Sequence, residues 1–229
     1  MSAPVATVQD VIVRLQGIDH DLPARDGAAV FNHMYLTVTE QVAEGLAGAP
    51  VFRDPAFMAQ LDVTFASLWL AAYDAPADAV PKAWAPLFER RHDDAVLAIQ
   101  FALAGMNAHI AHDLPVALVA TCRRLDRSPD DADVHADYEK VNELLAACES
   151  EIRRSFLTEV GQALDHRLGP VVHLIDSWNI DKARDVAWVN ALAMWEMRRV
   201  GSLARRYVAA LAGTVGMASR CLLTPVDRI

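Results

Sequence analysis

The stretch FALAGMNAHIAHDLPVALVA, residues 101–120, combines an apolar helix pattern with side chains that can transfer protons or bind metals. On an α-helix, His109 and Asp113 are about 40° apart around the axis and one turn apart along it, so their side chains share a face. A carboxylate beside a histidine fixes one tautomer of the imidazole and raises its basicity. The spacing therefore predicts an acid/base pair, with His109 as the catalytic group and Asp113 as its orienting partner.

Two further polar residues of this segment lie on other faces of the predicted helix. Asn107 is about 200° from His109 around the axis and shares the opposite stripe with Gln100. Buried polar side chains generally need hydrogen-bond partners, which backbone carbonyls can supply as well as a ligand can. Asn107 can therefore have either a structural or a substrate-binding role. His112 is expected at the end of the helix, where it either caps the helix or is exposed to solvent.

The segment IDKARDVAWVNALAMWEMRRV predicts a second helix with a charged residue on its buried face. Arg184 falls in one stripe with Trp188 and Trp195. An arginine stays protonated in proteins, so at a buried position it needs an anion or an aromatic ring nearby. The natural candidates for that anion are Asp113 and Asp62, and Asp62 itself interrupts an apolar stripe.

These polar groups suggest one shared cavity, in which a small and largely apolar substrate gains or loses a proton. An arginine there would hold an anionic group or stabilise an oxyanion. The predicted catalytic residues are His109, Asp113, Arg184 and Asp62. The predicted substrate-binding residues are Asn32, Tyr35, Asn107, Trp188, Asn190 and Trp195. None of these roles requires a cofactor, and we expect none. The alternative is a buried salt bridge that fixes helix register.

A metal site is the main competing chemistry. His109 and Asp113 have the i, i+4 spacing of helical metal ligands, and His112 or His173 could complete a zinc set. Such a site would indicate a metal-dependent hydrolase. The chain has no His-Glu-x-x-His motif and no cysteine pair. Two ligands do not make a site, so we expect no bound metal.

Helical periodicity accounts for nearly all of the chain, and strand-like alternation is scarce. Asp54 is a predicted N-cap followed by Pro55 at the first helical position, and Pro115 predicts a kink or a new helix start. Predicted helices include residues 28–46, 54–69, 92–112, 134–157, 180–200 and 202–223. The predicted fold is all-α, a single-domain antiparallel bundle of about seven to nine helices. Residues 1–20 could be a loosely packed N-terminal segment of this domain.

Composition argues against several classes of protein. The 229 residues are 53% hydrophobic and carry a formal net charge of −9 without a Lys/Arg-rich run, which disfavours nucleic acid as a partner. The most apolar run is short for a membrane span and is interrupted by polar residues. Cys122, Cys148 and Cys221 show no disulfide or zinc spacing, and the N-terminus lacks a secretory signal pattern, so we expect a cytoplasmic protein. Its expected partner is a small-molecule substrate or ligand, and it could form a homodimer.

Several segments carry a family resemblance. They include FNHMYLTVTEQV at 31–42, VPKAWAPLFE at 80–89, DYEKVNELL at 137–145 and ARDVAWVNALAMWEMR at 183–198, and the most specific is Asn-Ala-His-Ile followed by Asp-Leu-Pro at 107–115. On these segments the chain resembles an actinobacterial all-helical family catalogued as a domain of unknown function. The resemblance spans nearly the whole chain and favours His109 and Asp113 over His112. It implies no activity.

The residues together predict a cofactor-independent acid/base enzyme of cyclase, lyase or isomerase type in actinobacterial natural-product metabolism. Two alternatives stay open. One is the metal-dependent hydrolase that uses His109 and Asp113. The other is a non-catalytic carrier of a hydrophobic acid, with Arg184 at the carboxylate and tryptophans as the walls.

Overall fold

The computed structural model describes residues 5–47, 51–142, 145 and 179–225, and these residues form helices and no β-strand. This confirms the predicted all-α, bundle-like fold. The helices are α1 Val8–Asp21, α2 Gly27–Ala47, α3 Pro55–Asp74, α4 Ala85–Arg90, α5 Ala98–Ala108, a π-helical turn His109–Asp113, α6 Leu114–Arg124, α7 at 132–142, α8 Ile180–Glu196, a 3-10 turn Met197–Arg199 and α9 Gly201–Leu222.

Helix starts follow from local capping chemistry. Asp54 caps α3 by accepting a hydrogen bond from the Phe57 N–H, and Pro55 occupies the first turn, as predicted. The helix predicted to start at residue 92 instead begins at Ala98, because residues 91–97 form turns. The helix predicted over 134–157 is described only to residue 142 and at 145.

The N-terminal region is well packed, contrary to the expectation of a loose segment. Helix α1 begins with a capping box at Thr7, and its Val11, Leu15 and Ile18 are fully buried. These residues have the i, i+3, i+4 spacing of an apolar stripe, and they pack against α2. From residue 8 onward the chain therefore contributes to the core.

Helix α5 runs through the centre of the bundle, and nearly all of its residues are buried. It packs between α2 on one side and α9 on the other. Gly105 lets α2 approach closely, since a Cβ at this position would lie 2.3 Å from Cδ2 of Phe31. The Phe31 ring consequently packs beside His109, with ring centroids 5.6 Å apart.

The helix axis continues from α5 into α6 through the π-helical turn. The Leu114 N–H donates to the His109 carbonyl, which is an i to i+5 hydrogen bond. Pro115 lies in the first turn of α6, where its missing N–H and its ring prevent a regular bond to the preceding turn. Pro115 thus marks a new helix start, and the wider turn holds His109, His112 and Asp113.

No helix of the described residues is long and apolar enough to cross a membrane.

Candidate functional site

A cavity partly open to solvent lies between α2, α3, α7 and α8 at the start of α6. The volume within it that the centre of a water-sized molecule can reach is about 70 Å³. The apolar part of the wall comprises Val38, Val42, Met58, Leu61, Phe65, Leu114, Val141 and Leu145. The polar part comprises Tyr35, Thr39, Asp62, Tyr138 and Arg184. The cavity therefore combines an apolar surface with a few hydrogen-bonding groups, including two of opposite charge.

Asp62 is the acidic group of this wall. The residue is half-buried, but its Oδ2 atom is shielded from solvent and has no hydrogen-bond partner among the described residues. Burial without compensation raises the pKa of Asp62 to about 7. At neutral pH this carboxyl group can therefore either accept or donate a proton.

Tyr35 places a second unpartnered polar atom in the same wall. Its hydroxyl is buried near the Thr39 side chain and makes no well-formed hydrogen bond in the described part of the chain. Burial, together with the charges of Asp62 and Asp113, raises the pKa of Tyr35 well above its ordinary value. The hydroxyl therefore keeps its proton and can donate a hydrogen bond to a ligand.

Arg184 is the basic group of the wall, and its guanidinium is held by neutral partners. Its Nη2 donates to the Tyr138 carbonyl at 2.7 Å, and its Nε donates to Oδ1 of Asn142. The guanidinium carbon lies 4.1 Å from the Tyr138 ring centroid, a cation–π contact. Asp62 and Asp113, its predicted partners, form no ion pair with it. The aromatic ring that the sequence reasoning required is thus Tyr138.

His109 and Asp113 form the predicted pair, but within a larger cluster. Nδ1 of His109 lies 3.1 Å from Oδ2 of Asp113, and Nδ1 of His112 lies 2.7 Å from Oδ1. The Trp84 indole N–H also donates to Oδ2, at 2.9 Å. Both histidines and Asp113 are buried, so the expectation that His112 is exposed or caps a helix end is wrong. The π-helical turn brings His112 onto this carboxylate.

The charge states of this cluster follow from its contacts. Burial alone would raise the pKa of Asp113, but hydrogen bonds from His109 and His112 and their charges outweigh it and hold the pKa below its usual value. Burial lowers the pKa of His109 more than Asp113 raises it. Asp113 is thus an anion beside a neutral His109, and the Nδ1 proton of His109 donates to it. Nε2 of His109 then carries the lone pair, and it has no partner among the described residues.

Phe65 lies between His109 and the cavity. The two rings are parallel within 9° and their centroids are 3.6 Å apart. Phe65 contributes to the cavity wall, whereas His109 does not. The Tyr35 ring also packs on His109, at 4.5 Å between centroids. The His109–Asp113 pair is therefore a layer behind the wall, in contact with the aromatic groups that form it.

Comparison with known protein families shows which family this chain belongs to. The model of DUF5995, a family of unknown function, matches residues 8–225. The chain belongs to this family. This confirms the resemblance to a helical family of unknown function. Searches of curated proteins and of solved structures gave no significant match.

Two predicted substrate-binding residues of this DUF5995 member are structural. Asn32 is fully buried, donates to the Leu15 carbonyl at 2.9 Å and accepts from the Trp69 indole at 3.3 Å. Asn107 donates to the Val215 carbonyl at 3.1 Å and to Oγ of Ser219 at 2.9 Å, tying α5 to α9. Neither residue lines the cavity, because both point toward other helix interfaces.

The predicted binding residues of α8 also lie away from the cavity wall. Trp188 packs on Tyr138 and His135, with centroids 4.7 and 4.5 Å away, and Trp195 stacks on Arg198. Asn190 accepts a hydrogen bond from the Tyr207 hydroxyl at 2.6 Å. The buried stripe of α8 is instead Arg184, Ala187, Ala191 and Met194. Trp188 and Trp195 are half-buried beside this stripe, so they do not form cavity walls.

The described residues of this family member contain no group of three or more His, Cys, Asp or Glu side chains that could hold a metal ion. His109 and His112 both direct Nδ1 at Asp113. His173 and Cys148, which figured in the sequence analysis, lie outside the described residues. No feature of the described site therefore favours the metal-dependent hydrolase.

Several residues that shape the site could not be recognised from sequence spacing. Phe65 belongs to the apolar stripe that Asp62 interrupts, and that pattern does not reveal its position between His109 and the cavity. Trp84 and Tyr138 occur within the quoted family-like segments, where their aromatic character was the available signal. His112 gave no usable signal, because its contact with Asp113 depends on the π-helical turn.

Proposed function

We propose that this protein is a small-molecule enzyme that transfers protons in the cavity between α2, α3, α7 and α8. The substrate is largely apolar and carries an enolisable or anionic group, and the reaction is of cyclase, lyase or isomerase type, in natural-product metabolism. The observation that carries the proposal is that Asp62 and Tyr35 line one largely apolar cavity, and that Asp62 Oδ2 and the Tyr35 hydroxyl are buried without a well-formed hydrogen bond among the described residues.

Each polar group of the wall has a distinct task in such a reaction. Asp62 removes a proton from carbon as a carboxylate and returns it as an acid, since its pKa is about 7. The Tyr35 hydroxyl donates a hydrogen bond to the oxygen that gains negative charge, and the Arg184 guanidinium stabilises that charge. The apolar side chains exclude water, which strengthens both interactions. These steps need no cofactor.

His109 and Asp113 support this wall in the proposed mechanism. Asp113 orients the His109 ring, and the contacts of His109 with Tyr35 and Phe65 fix the aromatic rings that frame the substrate. His109 itself reaches substrate only if the Phe65 ring swings away from the imidazole. The reacting group that contacts substrate directly is therefore Asp62, and His109 is a positioning residue.

The same cavity supports a second candidate function, a carrier that binds a hydrophobic acid without converting it. The observation in its favour is Arg184, a buried cation whose partners among the described residues are neutral. A ligand carboxylate would be a suitable anion for it. Carrier and enzyme differ in whether Asp62 exchanges a proton with bound ligand.

A thermal-shift screen of carboxylic acids and polyketide-like compounds, followed by product analysis, tests the enzyme. For a converted compound, Asp62→Asn is expected to lower kcat about 10² to 10⁴-fold, the usual cost of losing a general acid or base. Tyr35→Phe should lower kcat by a smaller factor and leave KM nearly unchanged. His109→Gln should change the pH profile less than Asp62→Asn does.

Asp94→Asn, at an exposed position away from the cavity, is the control and should leave the rate unchanged. A compound that binds and is converted equally fast by the wild type and by Asp62→Asn would refute the assignment of Asp62. Compounds that bind tightly but are never converted would favour the carrier.

A further inference from the structure

The two charged groups of the cavity are not partners of each other. Arg184 and Asp62 line the same wall, yet no ion pair joins them. The guanidinium bonds to the Tyr138 carbonyl and to Asn142, and Oδ2 of Asp62 has no hydrogen bond in the described ranges. Among the described residues neither charged group forms an ion pair, which leaves both side chains available to a ligand in the cavity.

A carboxylate ligand is the chemistry that fits this arrangement. Its charge is attracted by Arg184, and its alkyl part covers the apolar side chains of the wall. The same charge would repel an ionised Asp62. Once Asp62 is protonated, the repulsion disappears, and the new O–H group can donate a hydrogen bond to a carboxylate oxygen. Ligand binding and protonation of Asp62 therefore favour each other.

Other ligand charges satisfy the cavity less well. An alkylammonium ion could pair with ionised Asp62 but would be repelled by Arg184, whose charge cannot be removed near neutral pH. A neutral alcohol would bond to Tyr35 or Asp62 and leave the guanidinium without an anion. Only an anionic head group uses both charged side chains.

We propose that the cavity binds an apolar molecule with one carboxylate group, and that binding takes up one proton, which Asp62 holds. This inference rests on the cavity of the proposed function but not on catalysis there. Among the described residues, the titratable groups that line the cavity with Asp62 are Tyr35 from α2, Tyr138 from α7 and Arg184 from α8, and His109 with its partner Asp113 lies behind Phe65. Both tyrosines have pKa values raised by burial, so they stay protonated.

Isothermal titration calorimetry with sodium octanoate as the probe tests the inference. At pH 8, measured in two buffers of different ionisation enthalpy, binding should take up close to one proton, and at pH 6 the uptake should be close to zero, because the pKa of Asp62 is about 7. The dissociation constant should rise by up to about tenfold per pH unit above pH 7. Octylamine and 1-octanol should bind more weakly than octanoate at pH 6.

Two variants test which side chain takes up the proton and which side chain binds the carboxylate. Asp62→Asn should bind octanoate at pH 8 without proton uptake and with an affinity that no longer depends on pH. Arg184→Gln should bind octanoate about 10- to 100-fold more weakly and 1-octanol unchanged. Arg184→Gln removes structural hydrogen bonds, so Arg184→Lys and Asp62→Asn provide the test if that variant does not fold.

Several results would overturn the inference. These are tighter binding of octylamine than of octanoate, octanoate binding without proton uptake at pH 8, unchanged proton uptake in Asp62→Asn, or no binding of any of the three probes. Octanoate binding with proton uptake, in a protein that converts no compound, would support this inference while contradicting the proposed enzyme. The two claims can therefore fail separately.

Discussion

Replacement of Asp62 by Asn is expected to stabilise the protein by about 2 to 4 kcal/mol at pH 8. The pKa of Asp62 is about 7 in the folded protein and near 3.9 when unfolded. Between these values the folded state holds a proton that the unfolded state has released, so the free energy of unfolding of the wild type falls as pH rises through this window. Because Asn does not ionise, the free energy of unfolding of the variant does not fall in this way.

Urea unfolding at several pH values measures this effect. The stability difference between Asp62→Asn and the wild type should grow steadily from pH 5 to pH 8 and level off above it. Asp94→Asn serves as the control for removing one negative charge, and it should show no such trend. A difference that stays constant across this pH range would mean that Asp62 is not an uncompensated carboxyl group.

Removal of the Asp113 carboxylate is expected to have the second large effect, of opposite sign. Asp113→Ala should cost about 3 to 5 kcal/mol, because it leaves the Trp84 indole N–H and the Nδ1 atoms of His109 and His112 without their shared acceptor. The pKa of Asp113 is lowered by folding. Its stabilising contribution is therefore present above about pH 4 and is lost as pH falls further.

Chemical unfolding of Asp113→Ala and the wild type at pH 7 and at pH 2 checks this prediction. The gap between the two proteins should narrow at the lower pH. A loss of under about 1 kcal/mol at pH 7 would be the ordinary cost of one surface hydrogen bond. That outcome would contradict the description of Asp113 as the shared acceptor of a buried cluster.

The fold could be predicted because apolar residues at helical spacing leave few alternatives. Capping chemistry located the start of α3, and Arg184 lies on the buried face of α8 as predicted, although Trp188 and Trp195 lie beside that face. Tyr35, Asp62 and Arg184 were grouped from sequence alone, and the structure places all three in one cavity wall. Asp62 and Arg184 each interrupt an otherwise apolar stripe, which is a strong local signal.

Helical periodicity in the sequence could not predict other parts of the site. The π-helical turn shifts residues after His109 relative to a regular α-helix, and this shift turns His112 toward Asp113. Asn32 and Asn107 interrupt apolar faces just as Asp62 does, yet their partners are a backbone carbonyl and side chains of neighbouring helices. Sequence spacing gives the face of a helix but not the partner that lies across from it.

Asp62 also links stability to function in this account. A carboxyl group that is buried without a partner lowers stability at neutral pH, and many active sites contain such groups. We therefore expect Asp62→Asn to be the more stable protein and the less active one. This combination separates a catalytic role from a structural one, since loss of a structural residue lowers activity and stability together.

Deuterium exchange at carbon tests the central claim most directly. The protein is incubated in D₂O at neutral pH with apolar ketones that shift its melting temperature, and deuterium incorporation next to the carbonyl is followed by mass spectrometry. The account predicts exchange well above the protein-free rate with the wild type and a loss of about 100-fold or more in Asp62→Asn. Bound compounds that exchange no faster than in buffer, or that exchange equally fast with Asp62→Asn, would contradict proton transfer by Asp62.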